Sequence, residues 1–230
     1  MTEYRKPFSN LPFGQRFEDA YFQSGIIDNN LRGYVAELLL LEALGQRAQL
    51  VSHGWHAWDI DLGNREDSYP NYLRIQVKNS AKVQTWSEVE RNLEDAAGKF
   101  QLRLSKPDHL RVDLETPNDR CQAVRDAFSC DLFALMFHTE SDRDKCDQRD
   151  PSQWVVYLVP TSPNCGAITA EELDDLVKRS SNGQLRPSTE RSTNSLANGI
   201  RGRLPIAPIP LTELTAKNCF DAVQPSASHS

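Results

Sequence analysis

Residues 58–78, WDIDLGNREDSYPNYLRIQVK, decide how the chain is read. Alternate side chains of a strand share a face. Leu73, Ile75 and Val77 therefore point one way, toward a core, and Gln76 and Lys78 point the other. In the preceding run Ile60 and Leu62 are the apolar set, which leaves Asp59 and Asp61 opposite them. The two apolar faces must coincide to be buried together. The runs are thus expected to form an antiparallel hairpin that gathers Asp59 or Asp61, Gln76 and Lys78 on one patch. Strands are expected at 48–52, 58–62 and 72–78, joined through 53–57 and 63–71.

On the N-terminal side, residues 31–44, LRGYVAELLLLEAL, are rich in helix formers and stop before Gly45. A helix apolar nearly all round is expected to be buried. Glu37 has Tyr34, Leu41 and Leu44 as helical neighbours and sits on an apolar stripe, while Glu42 lies well round the helix. A buried carboxylate is costly without a cation, so Glu37 should meet a metal or a lysine, with Lys78 and a divalent ion the natural candidates.

On the C-terminal side, Ser87 to Leu104 reads as a charged amphipathic helix, followed by a polar loop around Pro107 and Pro117 and a short helix over 120–129. CDLFALMFH (130–138) and WVVYLVP (154–160) are apolar runs of strand length, expected as central strands covered on both faces. Thr169-Ala-Glu-Glu172 fits a capping box opening a helix to about Arg179. Ser180 to Asn198 reads as loop, and Leu204 to Pro210, with three prolines, cannot be a central strand. The expected organisation is an N-terminal arm over 1–30 with a short helix near 15–23, an α/β core over 31–180 with a mixed central sheet flanked by helices, and a loop-rich extension over 181–230. Its tail from Gln224 is expected to be disordered.

Composition narrows the class. The chain has 230 residues, 26 Lys and Arg against 32 Asp and Glu, a net charge of −6, and 39% hydrophobic residues. It can bury a core, and its charge excludes a protein that coats nucleic acid by bulk positive charge. The longest apolar runs, Leu132 to Phe137 and Trp154 to Val159, are far short of a membrane span of roughly 20 residues. The N-terminus lacks the apolar segment of a signal peptide, so a cytoplasmic protein is expected. Five cysteines without a C-x-x-C pair argue for buried thiols over a disulfide framework or a cysteine zinc site.

The pattern Glu37 … Asp59 … Gln76-Val77-Lys78, with the phrases AWDIDL and YLRIQVKNS, resembles the PD-(D/E)XK, or restriction-endonuclease-like, nucleases. It resembles the branch in which glutamine replaces the second acidic residue. The later runs DLFALMF and WVVYLVP resemble that superfamily's last two core strands, so the likeness spans roughly residues 31–180. Aligned on the aromatic residue before the aspartate, Asp59 takes the catalytic position, and Asp61 is the second choice. The resemblance implies a metal-dependent nuclease that hydrolyses phosphodiesters, chiefly a DNA endonuclease, with Glu37, Asp59, Gln76 and Lys78 as its catalytic set. Mg²⁺ or Mn²⁺ would be held by Asp59, the Gln76 side-chain oxygen, the Val77 carbonyl and Glu37, since magnesium takes hard oxygen ligands and keeps several waters. Lys78 would orient the attacking water and stabilise developing charge.

Two rival readings stand beside this one. A non-catalytic module of the same fold would bind nucleic acid or scaffold a partner, and an unrelated small-molecule-binding α/β protein would use Asp59 and Lys78 as a structural ion pair. DNA is the expected partner, a membrane is not, and a homodimer or a partner subunit is left open. Lys178, Arg179, Arg186, Arg191, Arg201 and Arg203 set six cations against Glu190 alone, a candidate phosphate-contacting segment. His53 and His56 form a weak H-x-x-H zinc hint, His109 and His138 read as structural, and Trp55, Trp58, Trp86 and Trp154 read as core.

Overall fold

The computed structural model describes residues 25–51, 57–84, 116–161 and 208–224, together with residues 14, 21 and 22. The first helix, α1 (Asn29–Leu44), starts where the Asp28 carboxylate accepts the Asn30 amide at 2.9 Å. It ends at Gly45, whose φ of 69° suits a residue without Cβ. One stripe is buried: Arg32, Ala36, Leu40 and Leu44. The expectation of a helix buried all round is therefore corrected, because Tyr34 and Leu38 are 61% and 49% exposed on its outer side.

A single 3-10 turn (Gly45–Arg47) leads into the strands β1 (Ala48–Leu50), β2 (Ile60–Leu62) and β3 (Leu73–Ala81). They form an antiparallel meander in which Leu50 faces Ile60 and Ile60 faces Ile75. The expected hairpin register is found, but β2 is shorter and β3 longer than the sequence suggests. Leu73, Ile75 and Val77 are buried while Arg74, Gln76 and Lys78 are half-buried, the alternation anticipated from the sequence. Gly63, at φ 97°, turns the chain out of β2 where a Cβ would come within 2.3 Å of the Asn71 carbonyl oxygen.

Helix α2 (Pro117–Phe128) begins at Pro117, a position read from the sequence as loop. Thr116 and Asp119 close a capping box, and proline suits the first helical turn because its missing N–H is an orphan there anyway. Strand β4 (Leu132–His138) then runs parallel to β3, and β5 (Trp154–Pro160) pairs antiparallel with β4. The chain returns at β6 (Ile209–Pro210), a two-residue edge strand on β5, which fits the exclusion of this proline-rich stretch from the sheet centre. Helix α3 (Ala216–Val223) follows.

The sheet order is β1-β2-β3-β4-β5-β6, mixed, with helices against it, an α/β arrangement. The core joins Ala36, Leu40 and Leu44 of α1 to Ile60, Ile75, Val77, Leu132, Ala134, Val156 and Trp154 of the sheet. Leu211, Leu214, Cys219 and Val223 complete it, so the C-terminal stretch read as loop contributes to the core. Burial of a leucine side chain such as Leu40 contributes about 1.5–3 kcal/mol. Cys130, Cys146 and Cys219 are free and buried, as expected of structural thiols. Among the described residues no helix is long and apolar enough to cross a membrane. The helices expected at 87–104 and 169–179, the loop at 180–198 and, apart from residues 21 and 22, the helix expected at 15–23 lie on residues outside the description.

Candidate active site

The short β2 creates the site. It pairs with β3 only from Leu73 to Ile75, so beyond Ile75 the sheet forks on that side of β3. Asp59 stands at the fork. Its amide donates to the Ile75 carbonyl at 2.9 Å, one residue out of the register that pairs Ile60 with Ile75. This slip has the character of a β-bulge, which re-aims a side chain. The Asp59 Oδ2 atom accepts the Val77 amide at 2.7 Å and the Gln76 Nε2 at 3.2 Å.

The N–H and C=O of one strand residue point to the same side. Because the Val77 amide turns to Asp59, the Val77 carbonyl also faces the fork, where no described strand pairs with it. Gln76 donates from Nε2, which leaves its Oε1 as the oxygen available to an ion. Burial pushes the Asp59 carboxyl above its ordinary value, against the lowering effects of the Val77 amide, the Lys78 charge and the Gln76 amide. Lys78 lies close enough to act electrostatically on Asp59 yet forms no ion pair among the described residues. The reading of Asp59 and Lys78 as a structural ion pair therefore has no support in the geometry.

Glu37 approaches from the other layer. Gln76 and Lys78 lie beside Phe133 and Leu135 of β4, and Phe133 meets Phe128 of α2 edge-on at 5.5 Å, so they face the α2 side. Helix α1 covers the opposite face. Its first turn touches β3 just past the fork, where Arg32 Nε donates to Asn79 Oδ1 at 2.9 Å. A Cβ on Gly33 would lie 3.5 Å from Asn79 Nδ2. Glu37 follows Gly33 on the same helical stripe, roughly 6 Å along the axis. Because α1 runs back toward β1, that advance matches about two residues of strand. Half-buried Glu37 thus lies one turn further along α1 than the Gly33–Asn79 approach, on the helix-covered side of the sheet.

Asp61 does something different. It is 1% exposed and accepts Trp58 Nε1 at 2.8 Å and the Tyr72 hydroxyl at 2.6 Å, with Arg65 paired to its other oxygen. Burial and the bond to Asp61 push the Tyr72 phenol up. The site face also carries Arg74, which grips Asp131 with Nε at 3.0 Å and Nη2 at 2.9 Å and lies 5.7 Å from the Trp58 ring centre. Sequence reasoning passed over Arg65, Tyr72, Arg74 and Asp131, and its reading of Trp58 as core is corrected by the half-buried position of that ring at the site. Their signals were the i, i+4 spacing of Asp61 and Arg65 and the place of Arg74 on the Gln76–Lys78 face.

Among the described residues no group of three or more His, Cys, Asp and Glu is arranged to hold a metal ion. An ion at the fork would rest on Asp59 as the close carboxylate, with the Gln76 oxygen and the Val77 carbonyl as neutral ligands and Glu37 further off. That set is all hard oxygen and fits magnesium or manganese in kind. His138 is fully buried and bonds the Asp147 carbonyl, and Trp154 is fully buried, both structural as expected, while Trp58 is half-buried at the site. His53, His56, His109, Trp55, Trp86, Lys178, Arg179, Arg186, Arg191, Arg201 and Arg203 lie outside the described residues. No family model, no curated protein and no solved structure matches the chain.

Proposed function

We propose that the protein is a metal-dependent nuclease with a restriction-endonuclease-like core, acting on phosphodiester bonds of DNA. The observation that carries this reading is the fork. A half-buried carboxylate, an amide oxygen and a backbone carbonyl that no described strand pairs converge there beside a lysine that forms no ion pair among the described residues. The run of helix, Asp59 at the entrance to β2 and a strand with Gln76-Val77-Lys78, followed by β4 and β5, is compatible with the resemblance drawn from the sequence.

In this reading Asp59, Gln76, the Val77 carbonyl and Glu37 hold Mg²⁺ or Mn²⁺. When bound, such an ion lowers the pKa of a coordinated water and neutralises phosphate charge. Lys78 orients the water by hydrogen bonding and places its charge where negative charge develops on the phosphoryl oxygens. Water adds to phosphorus, one ester P–O bond breaks, and the leaving oxygen takes up a proton. Asp59 sets the site's acid limit, because a protonated carboxyl is a poor ligand and burial makes this one easier to protonate.

The test is incubation of the full chain with mixed single-stranded, duplex and branched DNA and with RNA, with Mg²⁺ or Mn²⁺, beside Asp59→Asn and Lys78→Ala. Cation-dependent cleavage lost in both variants is the expected result. Metal-dependent binding without cleavage would favour the non-catalytic module, and neither binding nor cleavage would overturn the reading.

A further inference from the structure

The slip that aims Asp59 at Val77 is held from outside the ligand set. Trp58 directly precedes Asp59, and its ring is fixed at two points. Its Nε1 donates to Asp61 Oδ1 at 2.8 Å, and its face lies 5.7 Å from the Arg74 guanidinium. Both anchors are themselves immobilised. Asp61 is buried under Tyr72 and Arg65, and Arg74 is clamped by Asp131 with a further contact to Asp126 at 3.4 Å. Asp61 and Arg74 also face each other directly across the β2–β3 pair. The indole is therefore pinned to both strands immediately before the residue where their register slips.

We propose that Trp58 is a positioning residue that acts through Asp59, its bond to Asp61 holding the displaced backbone that turns the Asp59 carboxylate to the Val77 amide and so shapes the metal site. The proposal rests on the nuclease reading for its functional consequence. Its structural half, the aim of Asp59, is measurable without any metal. Tyr72 supplies the internal control, because its hydroxyl donates to the same Asp61 oxygen at 2.6 Å but it adjoins β3, away from Asp59. A merely stabilising network would respond alike to loss of either donor.

The experiment compares Trp58→Phe, which keeps a ring over Arg74 and removes the N–H, with Tyr72→Phe. In metal-free protein the Val77 amide is followed by NMR chemical shift and hydrogen exchange, with Asp59→Asn as the reference for a weakened carboxylate bond. Trp58→Phe is expected to move the Val77 amide toward that reference and Tyr72→Phe to leave it at the wild-type position. Mg²⁺ or Mn²⁺ titration by calorimetry is expected to show affinity weakened about tenfold in Trp58→Phe and near wild type in Tyr72→Phe, the size typical of lost outer-sphere support. Asp61→Leu breaks the same bond from the acceptor side, so a failure of one variant to fold leaves the other to decide. An unchanged Val77 amide and unchanged affinity in the folded variant would overturn the proposal. A wild-type protein that binds no metal would overturn the nuclease reading, while the Val77 amide would still report on Trp58.

Discussion

Gln76→Glu is the substitution whose outcome the geometry fixes most narrowly. Gln76 Nε2 donates to Asp59 Oδ2 at 3.2 Å, and glutamate puts a carboxylate oxygen in nearly the same place. Two unit charges 3.2 Å apart repel by about 5 kcal/mol at an effective dielectric constant near 20. The metal-free variant is therefore expected to hold one proton across the pair well above the ordinary carboxylate range. Burial of Asp59 adds to the effect, since it already lifts that carboxyl above 3.8. The sign for stability follows. The folded pair binds a proton that the unfolded chain releases, so metal-free stability falls as pH rises from the ordinary carboxylate range through the raised value, and stays lower above it. A divalent cation reverses the balance, because the second carboxylate attracts it and the shared proton must leave. The variant should bind Mg²⁺ more tightly than wild type at alkaline pH, lose that advantage on acidification, and release about one proton per ion. Turnover is expected to be retained or reduced, because the new carboxylate competes for Lys78. Calorimetric titration with Mg²⁺ or Mn²⁺ in buffers of unequal ionisation enthalpy measures both affinity and proton release. Equal or weaker alkaline affinity, or binding without proton release, would show that residue 76 does not face the ion.

Lys78→Ala should lower cleavage at least about 10²-fold with the fold intact by circular dichroism, and unchanged turnover would remove Lys78 from the mechanism. Asp59→Asn should abolish metal-dependent activity. Asp61→Asn should leave more activity but lower stability by about 1–3 kcal/mol in denaturant titration, since Trp58, Tyr72 and Arg65 all bond to that carboxylate. The reverse order of activities would move the site by two residues. Replacing Arg186, Arg191 and Arg201 together with Ala should weaken DNA binding and reduce its salt slope by up to roughly 0.9 per lost duplex contact, measured by fluorescence anisotropy across salt concentrations. An unchanged slope would exclude that segment from the interface.

What the sequence made legible was what periodicity controls. Leu73, Ile75 and Val77 alternate with Gln76 and Lys78, a pattern that burial enforces because a one-residue slip would invert the whole strand. The runs over 132–138 and 154–160 were equally plain, being apolar and of strand length. The candidate cluster of Asp59, Gln76 and Lys78 followed from the same alternation. Alternation could not separate Asp59 from Asp61, which share a face. The distinction arises from the register slip and from Arg65, Tyr72 and Trp58 converging on Asp61 in space. The helix expected over 120–129 starts three residues earlier, because the stretch around Pro117 reads as polar loop although Thr116 and Asp119 at capping spacing mark a helix start. The return of residues 209–223 was hidden by its length, since eight helical residues gain stability only from tertiary contacts such as those of Cys219 and Val223. The exposure of Tyr34 and Leu38 runs against composition, because a helix packed on one side of a sheet buries one stripe however apolar its outer face.

The fork concentrates unfavourable features that a purely structural sheet would avoid. Among the described residues the β3 edge past Ile75 has no partner strand, half-buried Lys78 forms no ion pair, and the Asp59 carboxylate is held where burial raises its cost. Each alone is tolerable. Their meeting within three residues of β3, opposite a backbone slip, is better explained by a ligand that relieves all three than by packing, since local inconsistencies gather at functional sites. In the proposed reading a hard cation would answer the carboxylate and the open carbonyl, and a phosphodiester would answer the lysine. Rigidity is supplied next door, where Arg74, Asp131 and Asp126 tie β3 to α2 and Asp61 ties β2 to its turn. The division of labour is thus between neighbouring aspartates on one strand. Asp61 accepts Trp58 and Tyr72 and pairs with Arg65, which suits a structural role. Asp59 accepts the Val77 amide and the Gln76 amide at the fork, and in the proposed reading it is the carboxylate that takes the ligand.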